Sequence, residues 1–222
     1  MRLFSNWSLT ADSKSRKKRL QMATAGPYNL QLYAKVLSYF KQAYGEDSPL
    51  PALPNCRPSV WVLMPPNPKQ PFNEVYPNIF LGNQSLAKNK EQLRDIGITH
   101  IVNCAQGTKF NQVNTDANFY KDVRIDFLGL KAIDIATFNM MQFFKLAADF
   151  IDKSLKSGGK VYVHCVSGIS RSATIVLTYL MLKCDKCLMD SVKIVREKRN
   201  IFPNDGFIKQ LCILNEELCA TK

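Results

Sequence analysis

Residues 160–173, KVYVHCVSGISRSA, place a thiol, Cys165, and a guanidinium, Arg171, at the two ends of a short loop. An apolar run leads into His164, and a helical pattern opens near Ser170. A strand, a short loop and a helix form an anion cradle. The first helical N–H groups have no intrahelical acceptor, and the helix dipole there favours negative charge. Gly168 lets the backbone curl, so Val166, Ser167, Gly168, Ile169 and Ser170 can aim successive amides at one tetrahedral anion. The same amides, with Arg171 nearby, would lower the pKa of Cys165 and leave thiolate at neutral pH. Arg171 offers a planar fork matched to two phosphate oxygens. A thiolate beneath a bound phosphate is a nucleophile in line with phosphorus. The plain alternative is a buried cysteine in a strand-to-helix turn. The preceding His, the mid-loop Gly, the following Ser and the helix together weigh against it.

Displacing a tyrosine or serine oxygen from phosphorus needs a proton donor, and carboxylates at the same sheet edge are the candidates. Asp134 stands in GLKAIDIATF, between a strand pattern at 123–128 and a helix pattern at 139; Asp126 and Asp122 belong to that strand. Asp134, on the loop, is best placed to reach over a bound substrate. His164 suits holding the loop by hydrogen bonds better than acting as a base, since a residue adjacent in a strand points to the opposite face. A glycine-rich nucleotide loop ending in Gly-Lys-Ser/Thr is absent.

These residues need elements to position them. Leu30, Tyr33, Leu37 and Phe40, with Val36 alongside, mark an amphipathic helix over 28–44, with core packing as the default use of its apolar face. Strands are expected at 78–82, 98–104, 123–128 and 160–164, and helices at 85–96, 139–155, 170–183, 187–199 and 204–219. Strands alternating with helices imply an α/β fold around a mainly parallel twisted sheet flanked by helices. Ligands of such sheets bind beyond the carboxyl ends of the strands, where HCVSGISR falls. The expected organisation is a disordered basic tail over 1–27, the helix and a Pro-rich arm over 28–72, and one catalytic domain over 73–222. Eight of the eleven prolines fall between Pro49 and Pro71, a density that forbids helix and sheet interior. The apolar patch SVWVLM at 59–64 could pack back on the domain or, through Trp61, support a homodimer.

At 222 residues the chain can bury one sizeable core. No apolar stretch is long enough for a membrane helix, and the N-terminal stretch lacks a secretory pattern, so the expected location is cytoplasm or nucleus. Seven cysteines, an odd number, read as reduced thiols. Cys184 and Cys187 have metal-site spacing but no further ligands beside them, so neither metal nor cofactor is expected. The net charge of +12, with the run KSRKKR at 14–19, suits anionic partners. Phosphoproteins are favoured over nucleic acid, and the run itself reads as a solvated tail.

HCVSGISRSA resembles the signature of the cysteine-dependent protein phosphatases, and specifically their dual-specificity branch. NEVYPNIFLGN, LRDIGITHIVNCAQG, NTDANFYKDV, LGLKAIDIATFN, AADFID and RNIFPNDGFIKQLCILNEEL extend the likeness over about residues 73–220, closest to the small atypical member called VHR. The resemblance implies a metal-independent phosphatase of phosphotyrosine and phosphoserine or phosphothreonine in proteins, working through a phosphocysteine. It implies that Cys165 is the nucleophile, Arg171 the phosphate clamp, and Asp134 the general acid and then base. It further implies that Ser172 eases thiolate departure and His164 orients the loop. Phe110 would form a hydrophobic wall of the cleft, and Arg199 would receive a second phosphate. A loop interior without lysine favours protein over phosphoinositide substrates. Mitogen-activated kinases are one candidate substrate class. The competing expectation is a phosphoprotein-binding scaffold with little turnover.

Overall fold

A computed structural model of the chain describes residues 28–42, 68 and 70–221. The basic run, Cys56 and the patch at 59–64 lie outside the described residues. Helix α1 spans Leu30–Gln42; β1 is Phe72–Tyr76 and β2 is Ile79–Gly82. Helices α2 (Gln84–Lys88) and α3 (Lys90–Ile96) follow, then β3 (His100–Asn103), β4 (Asp126–Gly129), α4 (Phe144–Lys156) and β5 (Val161–His164). Helices α5 (Arg171–Lys183), α6 (Leu188–Lys198) and α7 (Asp205–Cys219) complete the described chain.

The five strands form one sheet in the order β1-β2-β5-β3-β4, parallel except for the antiparallel edge pair β1–β2. Strand β5 is central. Its side chains alternate between two apolar clusters, Val161 and Val163 on one face and Tyr162 on the other. Ile79 and Leu81 of β2 face with the valines, and Phe80 faces with Tyr162. Burial on both faces is why these strands read as continuous apolar runs. Helix α5 is buried on nearly every side, from Arg171 through Met181, because it packs against α4, α6, α7 and β5 at once.

Four expectations need correction. The helix expected over 85–96 divides at Asn89, whose carboxamide caps α3 at the Gln92 N–H (3.0 Å) while its own N–H donates to Leu86 O (2.9 Å). Strand β1 was hidden by the prolines around it; Pro71 and Pro77 lie outside its span, and an edge strand tolerates that. The strand expected at 123–128 is shorter and later, because Lys121–Val123 forms a 3-10 turn that Arg124 ends in the left-handed region. Leu30 is two-thirds exposed. The buried stripe of α1 runs instead through Val36 and Phe40, with Leu32, Tyr33 and Leu37 packed beside them against α7.

Candidate active site

Strand β5 delivers Cys165 just beyond its carboxyl end. Its neighbour β3 continues alongside, with Cys104 N–H donating to His164 O at 2.8 Å. Residues 166–170 turn the chain into α5. Gly168 sits at φ 72°, and a Cβ there would overlap the Gly82 carbonyl and lie 2.7 Å from Nη2 of Arg199. Glycine is therefore required on both conformational and steric grounds.

The loop carbonyls face away from the cradle and are all engaged. Val166 O accepts from Gln84 N–H (3.0 Å), Ile169 O from Phe202 N–H (3.0 Å), and Ser170 O from Thr174 N–H (2.9 Å). Ser167 O and Gly168 O accept from Nη2 and Nε of Arg199, at 3.1 and 3.0 Å. With oxygens held outward, the amides turn inward, as an anion nest requires. Gly168 N–H already points at Sγ of Cys165, at 3.2 Å.

This geometry overturns the reading of Arg199 as a receiver for a second phosphate. Arg199 is 2% exposed, and Nη1 also donates to Gln70 O (3.0 Å) and Asn73 Oδ1 (2.9 Å). It is a strut between β1 and the loop. Phe110 is fully exposed, standing at the rim next to Asn111 and not forming a packed wall.

Cys165 is fully buried at the floor. Burial pushes its thiol up, but the Arg171 guanidinium and hydrogen bonds from Ser172 outweigh that, and the pKa falls below the ordinary thiol value. The Ser172 hydroxyl donates to Sγ at 3.2 Å. Cys104, also buried, is driven the other way: burial first and then the Cys165 charge push its thiol well up. Of these two buried thiols, the surroundings favour the thiolate at Cys165 and oppose it at Cys104. His164 points to the opposite face, stacked on Tyr162 with ring centroids 5.4 Å apart, and its Nδ1 lies 3.2 Å from Cys165 O. Burial lowers its pKa to about 4, so the imidazole is neutral at pH 7.

Arg171 is 2% exposed and firmly oriented. Nη1 donates to Asn111 O at 2.8 Å, and Nη2 to Asn111 Oδ1 at 3.0 Å. Its Nε is 3.3 Å from Oδ2 of Asp134, an ion pair without hydrogen-bond alignment. The other Asp134 oxygen accepts from the Ser170 hydroxyl (2.7 Å) and the Asn204 carboxamide (2.8 Å). The loop after β4 thus folds over the cradle and brings Asp134 to the same site as Arg171 and Cys165. Asp126 lies at the far, amino end of β4 and Asp122 pairs with Lys90 at 2.6 Å, so neither joins them.

Two site residues escaped the sequence reading. Asn111, at φ 61°, exploits the tolerance of asparagine for the left-handed region to present both its oxygens to Arg171. Asn204 is recognisable from sequence as the N-cap of α7, accepting from Phe207 N–H at 3.0 Å, but its second bond to Asp134 is not.

The assembled site can bind a tetrahedral oxyanion above a thiolate, with a carboxyl group at the rim. Residues 79–217 match the family described as the dual specificity phosphatase catalytic domain. The mouse protein named dual specificity protein phosphatase 26 is 42% identical over 147 residues, spanning 66% of this chain and 68% of that one. The human tyrosine phosphatase-like serine/threonine/tyrosine-interacting protein is 36% identical at a TM-score of 0.57, over 68% of this chain and 96% of that one. A mouse putative dual specificity phosphatase, complexed with zinc tungstate, is 26% identical at a TM-score of 0.59, over 68% and 90% of the two chains. By this combination of family match, identity and fold, the chain belongs to the dual-specificity phosphatases, enzymes that hydrolyse phosphotyrosine, phosphoserine and phosphothreonine in proteins.

Proposed function

We propose that Cys165 is the nucleophile of this protein phosphatase and that turnover runs through a phosphocysteine. The observation that carries the proposal is a fully buried sulfur that accepts from the Gly168 N–H and the Ser172 hydroxyl, each at 3.2 Å, beside Arg171, whose charge favours the thiolate. The Cys165 thiolate attacks phosphorus, the S–P bond forms, and the P–O bond to the tyrosine, serine or threonine breaks. Asp134, protonated, gives its proton to the departing oxygen. Arg171 and the loop amides hold the three equatorial oxygens, whose charge is spread in the transition state. As phosphate enters, the Arg171 guanidinium exchanges the Asp134 carboxylate for phosphate oxygens, and Asp134 takes up a proton from solvent before it serves the leaving group. In the second step Asp134 takes a proton from water, water oxygen bonds phosphorus, and the S–P bond breaks. The Ser172 hydroxyl donates to the thiolate that leaves.

The substrates are phosphorylated proteins. We further propose mitogen-activated kinases as one class to assay, a cytoplasmic or nuclear location, and a homodimer through the patch at 59–64. The test of the chemistry is hydrolysis of an aryl phosphate and a phosphotyrosyl peptide. Cys165→Ser is expected to abolish both, and Asp134→Ala to lower turnover by about a hundredfold or more while retaining substrate. Undiminished hydrolysis by Cys165→Ser would overturn the proposal. Phosphopeptide binding without turnover by the wild-type protein would favour a scaffold instead, in keeping with a relative named as an interacting protein.

A further inference from the structure

A second cavity opens at the other edge of the sheet. It is an open depression of about 760 Å³ between the chain entering β4 and the carboxyl-terminal half of α4. Half-buried Phe127 and Phe150 contribute rings to its wall, and His100 sits edge-on to Phe150 with centroids 5.7 Å apart. Three exposed cations, Lys121, Arg124 and Lys153, line it. None of the three has an ion-pair partner among the described residues. Among the described residues that line the cavity, the one carboxylate, Asp126, lies 3.4 Å from His100. Neighbouring carboxylates are already committed: Asp122 to Lys90, Asp152 to Lys156, and Asp149 to Lys145 and Lys183. Arg124 holds a left-handed conformation, φ 54°, uncommon for a residue with a side chain.

Unpaired cations around recessed aromatic rings are complementary to an anionic segment that also carries a ring. The cavity is larger than a single phosphate needs, and its cations come from two separate elements. They suit charges spaced along an extended chain, not one converging anion. The recessed rings do not suit a membrane surface, which would call for a protruding apolar face. The cavity lies by the amino ends of β3 and β4, and the cradle lies beyond the carboxyl ends. About 13 Å of strand separates the two edges. An extended peptide of about five residues covers that distance, and β4, paired on one side only among the described residues, offers an edge along which it can run.

We propose that this cavity docks an acidic, aromatic-bearing segment of the phosphoprotein substrate while the phosphorylated residue occupies the cradle. The proposal rests on the phosphatase reading for its link to turnover, but the binding itself does not. The first measurement uses the full chain carrying Cys165→Ser and a fluorescein-labelled Glu/Asp-rich peptide with a central Phe, titrated by anisotropy. Binding is expected to persist when inorganic phosphate fills the cradle. It is expected to weaken by about tenfold or more in Lys121→Glu/Arg124→Glu/Lys153→Glu, since three exposed ion pairs are lost. The milder set Lys121→Ala/Arg124→Gly/Lys153→Ala, in which glycine suits the backbone at position 124, is expected to act in the same direction. With Cys165 intact, the milder set should lower kcat/KM about tenfold on a phosphopeptide bearing the acidic arm and leave aryl phosphate hydrolysis unchanged. Unaltered peptide affinity in the folded milder variant overturns the proposal, as does tighter binding of oligothymidylate or anionic vesicles at the same residues. A wild-type protein that hydrolyses neither substrate, yet loses the peptide on substitution, would sink the catalytic reading and leave the docking site standing.

Discussion

At the scale of single residues, the site is a balance of opposed forces on one sulfur. Burial raises the Cys165 pKa, and Arg171 with Ser172 lowers it further than burial raises it. On the mechanism proposed above, activity needs the thiolate, so kcat/KM is expected to climb as pH rises through the Cys165 pKa, which lies below the ordinary thiol value. Ser172→Ala removes the hydroxyl bond at 3.2 Å and shifts this climb to higher pH. A lost charge-assisted hydrogen bond of about 1.4 kcal/mol corresponds to roughly tenfold in kcat/KM on the acid side of the profile. The check is a pH profile on an aryl phosphate; an unmoved profile would remove Ser172 from thiolate stabilisation. Cys165 and Arg171 stood out in the sequence because strand end, loop and helix start lie within one local pattern; Asp134 stood out separately, as the carboxylate on the loop between the patterns at 123–128 and 139. The place of Arg199 was not legible. Its four acceptors come from Gln70, Asn73, Ser167 and Gly168, and only the folded chain brings residues 70–73 back to the loop.

Among the elements, the positioning of Asp134 depends on how closely α7 approaches the loop that carries it. Gly206, in the first turn of α7, lies so near that a Cβ would overlap the Ala136 carbonyl. Gly206→Ala must therefore displace either the helix start or residues 134–136. The same turn supplies Asn204, which bonds Asp134. The variant is expected to lose activity with its leaving-group dependence steepened, since proton donation suffers first, while oxyanion inhibition by orthovanadate stays within about threefold of wild type. Equal loss for good and poor leaving groups would show that α7 does not position the acid. Strand and helix order could be read from apolar periodicity because β2, β3 and β5 are buried on both faces and α1, α4 and α6 on one. What could not be read are breaks made by single caps, such as Asn89, and the edge strand β1, whose partner is its own hairpin neighbour among prolines.

For the molecule as a whole, the sheet is held between two apolar clusters, and a neutral histidine lies inside that sandwich. His164 is fully buried, and burial lowers its pKa to about 4 from 6.5. The unfolded chain therefore binds this proton more readily than the folded one. Stability is fully present above pH 6.5 and is lost as pH falls toward 4, by roughly 3 kcal/mol from this group. Urea unfolding at pH 7 and pH 4.5 measures the loss, and His164→Asn is expected to remove most of it; an equal loss in the variant would assign it elsewhere. The fold class was legible because alternation of strand and helix patterns specifies layers, whereas the cations gathered beside β4 come from segments far apart in sequence. The strut formed by Arg199 has a further consequence for the whole enzyme. Its bonds, with that of Phe202, orient the loop backbone before any ligand arrives, so an entering oxyanion need rearrange only the Asp134–Arg171 pairing. Binding of such an ion should then carry little conformational entropy and almost no change in heat capacity, the calorimetric mark of a rigid receptor.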